Sequence, residues 1–74
     1  MNNDIDSRKY NQSKRVEYIA DQLVAEFKNS GFRAFYCKVA YKLSEANIWN
    51  NVEQAKKGNS PAKLFTFLCK RDGV

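Results

Sequence analysis

Four amide side chains in the second half of the chain recur at helical spacing. Asn47, Asn50, Asn51 and Gln54 fall at positions i, i+3, i+4 and i+7, which places them on one face of a helix. Side-chain amides of Asn and Gln can form paired hydrogen bonds with the edge of an adenine in a DNA major groove. This amide stripe therefore predicts a face that reads nucleic acid. The alternative is a solvated polar face that is rich in amides.

Basic side chains are concentrated in the same half of the chain. Residues 1–31 carry equal numbers of acidic and basic side chains, so the net charge of +5 lies in residues 32–74. Five of these cations lie around a predicted turn between two helices or at the end of the last helix: Lys56, Lys57, Lys63, Lys70 and Arg71. Lysines beside the unpaired N–H groups of a helix N-terminus favour phosphate binding. The alternative is charge that serves solubility and suits helix ends.

A third candidate surface surrounds Tyr41. Ala34 and Cys37 share its side of a predicted helix, and Lys38 and Lys42 flank it. If exposed, this patch would dock a protein partner or stack a base. A helix with apolar character nearly all round is usually central in its fold, however. The favoured interpretation is therefore a second buried face of that helix.

The residue types of common enzyme chemistry are missing or isolated. The sequence has no histidine, which removes the commonest general base and metal ligand. Cys37 and Cys69 have neither the spacing of a zinc site nor an evident activating base. The three glycines stand apart and form no phosphate-binding loop. These observations predict a non-enzymatic protein without metal, cofactor or small-molecule substrate.

The cysteines and the apolar runs also bear on the compartment. Cys37 and Cys69 lie within apolar helical patterns, which favours two free thiols in a reducing compartment over a disulfide. No apolar run approaches transmembrane length, and the first residues lack the apolar core of a signal peptide. The sequence predicts a cytoplasmic protein that does not bind membranes.

Periodic apolar positions predict the first two helices. Residues 1–12 are polar and without periodicity, which predicts a flexible tail before a single helical domain over residues 13–74. Apolar side chains at spacings of three and four then predict helices over residues 14–30 and 32–43. Gly31 is the predicted left-handed stop between them.

Capping residues predict two further helices. Ser44 is a predicted N-cap, with Leu43 and Ile48 placed as a hydrophobic staple, and Gly58 ends that helix. Ser60 is a second predicted N-cap, followed by Pro61 at the first helical position, where its missing N–H is tolerated.

The fold class follows from these elements. Very short connections at Gly31 and Ser44 require sharp turns, which predicts an all-α, compact three- to four-helix orthogonal bundle. The second and third helices are only loosely like a helix-turn-helix, because the turn around Ser44 is shorter than that motif uses and lacks glycine. The predicted core consists of Leu23, Phe27, Phe35, Val39, Trp49, Val52, Phe65 and Leu68.

The leading hypothesis for function is a small basic module that binds DNA or RNA, with phosphates held by the lysines near the turn between the third and fourth helices. The alternative is a protein-interaction module that acts as an adaptor, an inhibitor or a subunit of a larger assembly, with Tyr41, Cys37 and Lys38 at the interface. Small helical size and a basic second half are also common among accessory proteins of mobile genetic elements.

Overall fold

The chain folds into four α-helices, and no strand occurs within residues 3–74. The computed structural model describes the backbone of these residues and the side chains of residues 11–74. The helices are α1 (Asn3–Phe27), α2 (Arg33–Lys42), α3 (Glu45–Lys56) and α4 (Pro61–Arg71), and a short 3₁₀ turn (Ser30–Phe32) joins α1 to α2. The predicted all-α class with three to four helices is confirmed, and four are present in the described residues.

The first helix is longer than its apolar pattern predicted. It begins at Asn3, well before the predicted start at residue 14, whereas the first buried side chain from residue 11 onward is Val16. Residues 11–14 are exposed, so no buried stripe marks this part of the helix in the sequence. The prediction that residues 1–12 form a flexible tail concerns mobility and stays a prediction.

The residue that ends α1 is Lys28, and the predicted stop at Gly31 is wrong. Lys28 adopts a φ of 53°, and the next N–H, on Asn29, donates to the carbonyl of Val24 at 3.3 Å. This is the long hydrogen bond of a Schellman motif, which places Lys28 at the position that usually holds glycine. Gly31 lies in the 3₁₀ turn without a positive φ.

Lys28→Gly should therefore stabilise the fold. A left-handed conformation is strained for a residue with a Cβ, and removing that strain should raise the free energy of unfolding by about 0.5–1 kcal/mol. Urea denaturation of both proteins measures the change. Lys57→Gly is a matched control, because Lys57 caps α3 with an ordinary φ of −81° and should gain nothing. An equal gain in both variants would contradict the assignment to backbone strain.

The predicted start of α3 is confirmed in detail, and that of α4 in part. The Ser44 hydroxyl accepts a hydrogen bond from the backbone N–H of Asn47 at 3.2 Å. Ser60 occupies the N-cap position of α4, with Pro61 in the first turn, but the Ser60 side chain makes no capping hydrogen bond. Gly58 allows a tight turn between these helices, since a Cβ there would lie 2.9 Å from a methyl carbon of Leu64.

The core forms where two helical hairpins meet. Helix α1 packs chiefly against α2, and α3 packs chiefly against α4. Three rings join the hairpins: Phe65 of α4 lies 4.9 Å from Phe27 of α1 and 6.0 Å from Tyr36 of α2, measured between ring centroids. Of the predicted core, five side chains are buried, namely Leu23, Val39, Val52, Phe65 and Leu68. Phe27, Phe35 and Trp49 are partly buried and pack against the core.

Candidate nucleic-acid interface

The amide stripe on α3 is divided between the interior and the surface. Asn50 and Gln54 are exposed, and Asn47 is half-buried. Asn51 is fully buried, and its Nδ2 donates to Oδ2 of Asp72 at 2.9 Å and to Sγ of Cys69 at 3.8 Å. The prediction that Asn51 reads nucleic acid is wrong, because this side chain is fixed between α3 and the end of α4. The stripe is not a continuous recognition face.

The predicted basic set also separates into paired and unpaired cations. Lys56 forms an ion pair with Glu26 at 2.9 Å, and this hydrogen bond raises the pKa of the Lys56 ammonium. Arg71 contacts Asp72 through Nε at 3.2 Å, with its side chain about half exposed. Lys57, Lys63 and Lys70 are exposed and form no ion pair within the described residues. Lys56 is therefore the least available of the five.

An exposed phenylalanine lies among the cations of α4. Phe67 is 64% exposed, and Lys63, Lys70 and Arg71 lie three or four residues from it, on the same side of the helix. We call these four residues the α4 face. Helix α4 contains no acidic residue. Phe67 is not among the site residues predicted from the sequence, although its position off the buried stripe of Phe65, Leu68 and Cys69 indicates exposure.

A shallow apolar groove begins beside the α4 face. It has a volume of about 400 Å³ and is lined by Asn29, Phe32, Ala62, Lys63 and Thr66. Phe32 is 44% exposed. Its ring is held by neighbours, with centroids 6.4 Å from Phe35 and 6.3 Å from Tyr36. We call this feature the Phe32 groove, and Lys63 belongs both to it and to the α4 face.

The beginning of α4 offers backbone donors close to two lysines. Because the Ser60 side chain does not cap the helix, it leaves the N–H groups of the first turn without a side-chain acceptor. A depression of about 370 Å³ surrounds this turn, and Lys28 and Lys63 are among its lining residues. Glu26 also lines it but is engaged by Lys56. Phosphate is the ligand that such donors and cations favour. Lys28 is not among the site residues predicted from the sequence.

The Tyr41 patch on α2 is exposed, so the interpretation of a second buried face is wrong. Tyr41 is 59% exposed, and Ala34 and Lys38 are exposed while Cys37 is half-buried. Helix α2 is therefore not enclosed on all sides. The buried residues of α2 are Tyr36, Val39 and Ala40, and these side chains pack against α1 and the rest of the core.

Both cysteines are free, as predicted. Burial raises the pKa of the Cys69 thiol to about 11, so it stays protonated at neutral pH. Cys37 is half-buried, with its Sγ 3.7 Å from a guanidinium nitrogen of Arg33. Among the side chains of residues 11–74, no group of His, Cys, Asp or Glu is arranged to hold a metal ion.

No family model, no curated protein and no solved structure matches this chain. None of the helices described has both the length and the apolar character needed to cross a membrane.

Proposed function

We propose that this protein is a non-enzymatic module that binds nucleic acid through the α4 face and the adjoining first turn of α4. The observation that carries the proposal is the position of exposed Phe67 among Lys63, Lys70 and Arg71 on a helix without acidic residues. A cationic surface supplies phosphate contacts that do not depend on sequence, and an aromatic ring adds contact with bases.

The distribution of ion pairs supports this assignment. Acidic side chains neutralise several cations elsewhere, with Arg15 near Glu45 at 3.6 Å and Arg33 bound to Asp21 at 3.0 Å. The lysines of the α4 face have no such partner among the described residues. Their charge is therefore available to an external polyanion. The exposed amides Asn50 and Gln54 are left with a minor role in base reading.

Binding should weaken steeply as salt is added. Three to four phosphate contacts, from Lys57, Lys63, Lys70 and Arg71, should give a slope of about −3 in a plot of log affinity against log salt concentration on duplex DNA. The double variant Lys63→Glu/Lys70→Glu should lose roughly two of these contacts and reduce the slope accordingly. Fluorescence anisotropy with labelled DNA and RNA between low and moderate salt measures both quantities.

The control for this experiment has the same net charge. Lys38→Glu/Lys42→Glu makes an identical change on α2, away from the α4 face, and should leave the slope nearly unchanged. If both double variants lose affinity and slope equally, the effect comes from the overall charge of the protein and not from the α4 face. The absence of binding to DNA and RNA at low salt would rule the proposal out.

A protein partner is the second candidate, and two exposed aromatic surfaces favour it. One is the Tyr41 patch, with Cys37 and Lys38. The other is an open groove of about 660 Å³ between α1 and α3, where Tyr18 is 64% exposed beside Trp49. Contacts of this kind would persist at moderate salt and would be lost on replacing the aromatic residue, which separates them from phosphate binding.

A further inference from the structure

A surface that only binds phosphates does not need an exposed aromatic ring such as Phe67. Lysine and arginine side chains bind a duplex backbone without an aromatic neighbour. Phe67 leaves 64% of its surface in water and lies between cations on both sides along the helix. An accessible aromatic ring within a cationic surface is the arrangement on which unpaired bases stack, while the cations hold their phosphates.

A second accessible ring, Phe32, lies in the groove that adjoins the α4 face at Lys63. Thr66 and Lys63 line the Phe32 groove. Thr66 is the residue directly before Phe67, and Lys63 lies about one helical turn before Phe67. The groove is open to solvent, no carboxylate lines it, and Lys63 lies at its edge. Its volume of about 400 Å³ is within the roughly 300–1,000 Å³ range of pockets that hold small organic groups. A nucleobase is a planar apolar group of suitable size for it.

We propose that the α4 face selects single-stranded over duplex nucleic acid. Phe67 stacks on one unpaired base, the Phe32 groove receives a second base, and Lys63 and Lys70 bind the phosphates between them. In a duplex the faces of the bases are stacked on each other, so neither ring has a partner there. This inference rests on the proposed function and names the form of nucleic acid that the same site binds.

The test uses the full chain with labelled oligonucleotides of equal charge, one an unstructured single strand and one a hairpin duplex. Phe67→Ala should weaken binding of the single strand roughly 5- to 100-fold and change duplex binding less than about twofold. Phe67→Trp should restore single-strand binding, because indole also stacks. Phe67→Leu, which keeps an apolar side chain without a ring, should not restore it. Phe32→Ala should weaken single-strand binding as well, with folding verified by circular dichroism.

The possible results separate this inference from the proposed function. Equal affinity for the two oligonucleotides, with no effect of Phe67→Ala, would overturn the selection of single strands and leave nucleic-acid binding standing. Binding to neither would overturn both. If anionic phospholipid vesicles bind in a Phe67-dependent way and neither oligonucleotide does, the α4 face is a membrane-contact surface, and both proposals fail.

Discussion

Phe65→Ala should lower the free energy of unfolding by about 3–5 kcal/mol. The Phe65 side chain is fully buried and contacts Phe27 and Tyr36 at the junction of the two helical hairpins. Removing the ring leaves a cavity that the rings of Phe27 on α1 and Tyr36 on α2 cannot fill without moving. A domain of 74 residues is stabilised by about 4–11 kcal/mol, so this loss is a large part of the total.

Phe67→Ala is the matched control for this prediction. It is the same change two residues along the same helix, at a position that is 64% exposed. We expect a change of less than about 0.5 kcal/mol. Chemical denaturation followed by circular dichroism measures both variants. Comparable losses at the two positions would mean that Phe67 is buried to the same extent as Phe65, with α4 rotated about its axis.

Asn51→Asp should also destabilise the fold by about 3–5 kcal/mol at neutral pH. The amide of Asn51 is fully buried and donates to the carboxylate of Asp72 at 2.9 Å. The substitution replaces that donor with a second carboxylate, which is both buried and opposed to a like charge. Oδ1 of Asn51 has no hydrogen-bond partner, so no existing donor compensates the new charge.

The size of this defect should depend on pH. Burial and the neighbouring carboxylate raise the folded pKa of the introduced group above its unfolded value, so the penalty is full above the folded pKa and disappears below the unfolded one. In the native protein the opposite sign applies to Asp72. The hydrogen bond from Asn51 lowers the Asp72 pKa, so its stabilisation is present above the unfolded pKa and is lost as pH falls through the folded value. Denaturation midpoints between acidic and neutral pH test both statements.

Two further variants define the cause of the Asn51→Asp defect. Asn50→Asp places the same charge on the next residue, which is exposed, and should change stability by less than about 0.5 kcal/mol. Adding Asp72→Asn to Asn51→Asp restores an amide opposite a carboxylate and should recover part of the loss. If Asn50→Asp and Asn51→Asp have equal effects, Asn51 is not buried in solution.

Sequence patterns predicted the helices well where an apolar stripe or a side-chain cap defined them. The Ser44 cap and most buried positions follow directly from spacing. The start of α1 did not, since residues 11–14 bury nothing and leave no periodic signal. Residue type predicted the end of α1 at Gly31, whereas the left-handed conformation that ends the helix is adopted by Lys28.

The candidate site was predicted less well, for a different physical reason. Helical spacing places Asn47, Asn50, Asn51 and Gln54 on one face but does not reveal which edge of that face meets another helix. Asn51 is buried because α4 ends against it, and Asp72 supplies its partner only in three dimensions. In the same way, Phe32 is apolar by type, and only the packing around it shows that it stays accessible.

The pairwise packing of α1 with α2 and of α3 with α4 has a kinetic consequence. Each hairpin forms between neighbours in sequence, so little loop-closure entropy opposes its assembly. Chains with mostly local contacts fold in microseconds to milliseconds. The two hairpins are then joined in a later step, when Phe65 of the second hairpin packs against Phe27 and Tyr36 of the first. Substitutions in these three rings should lower the folding rate, whereas substitutions on the α4 face should leave the folding rate unchanged.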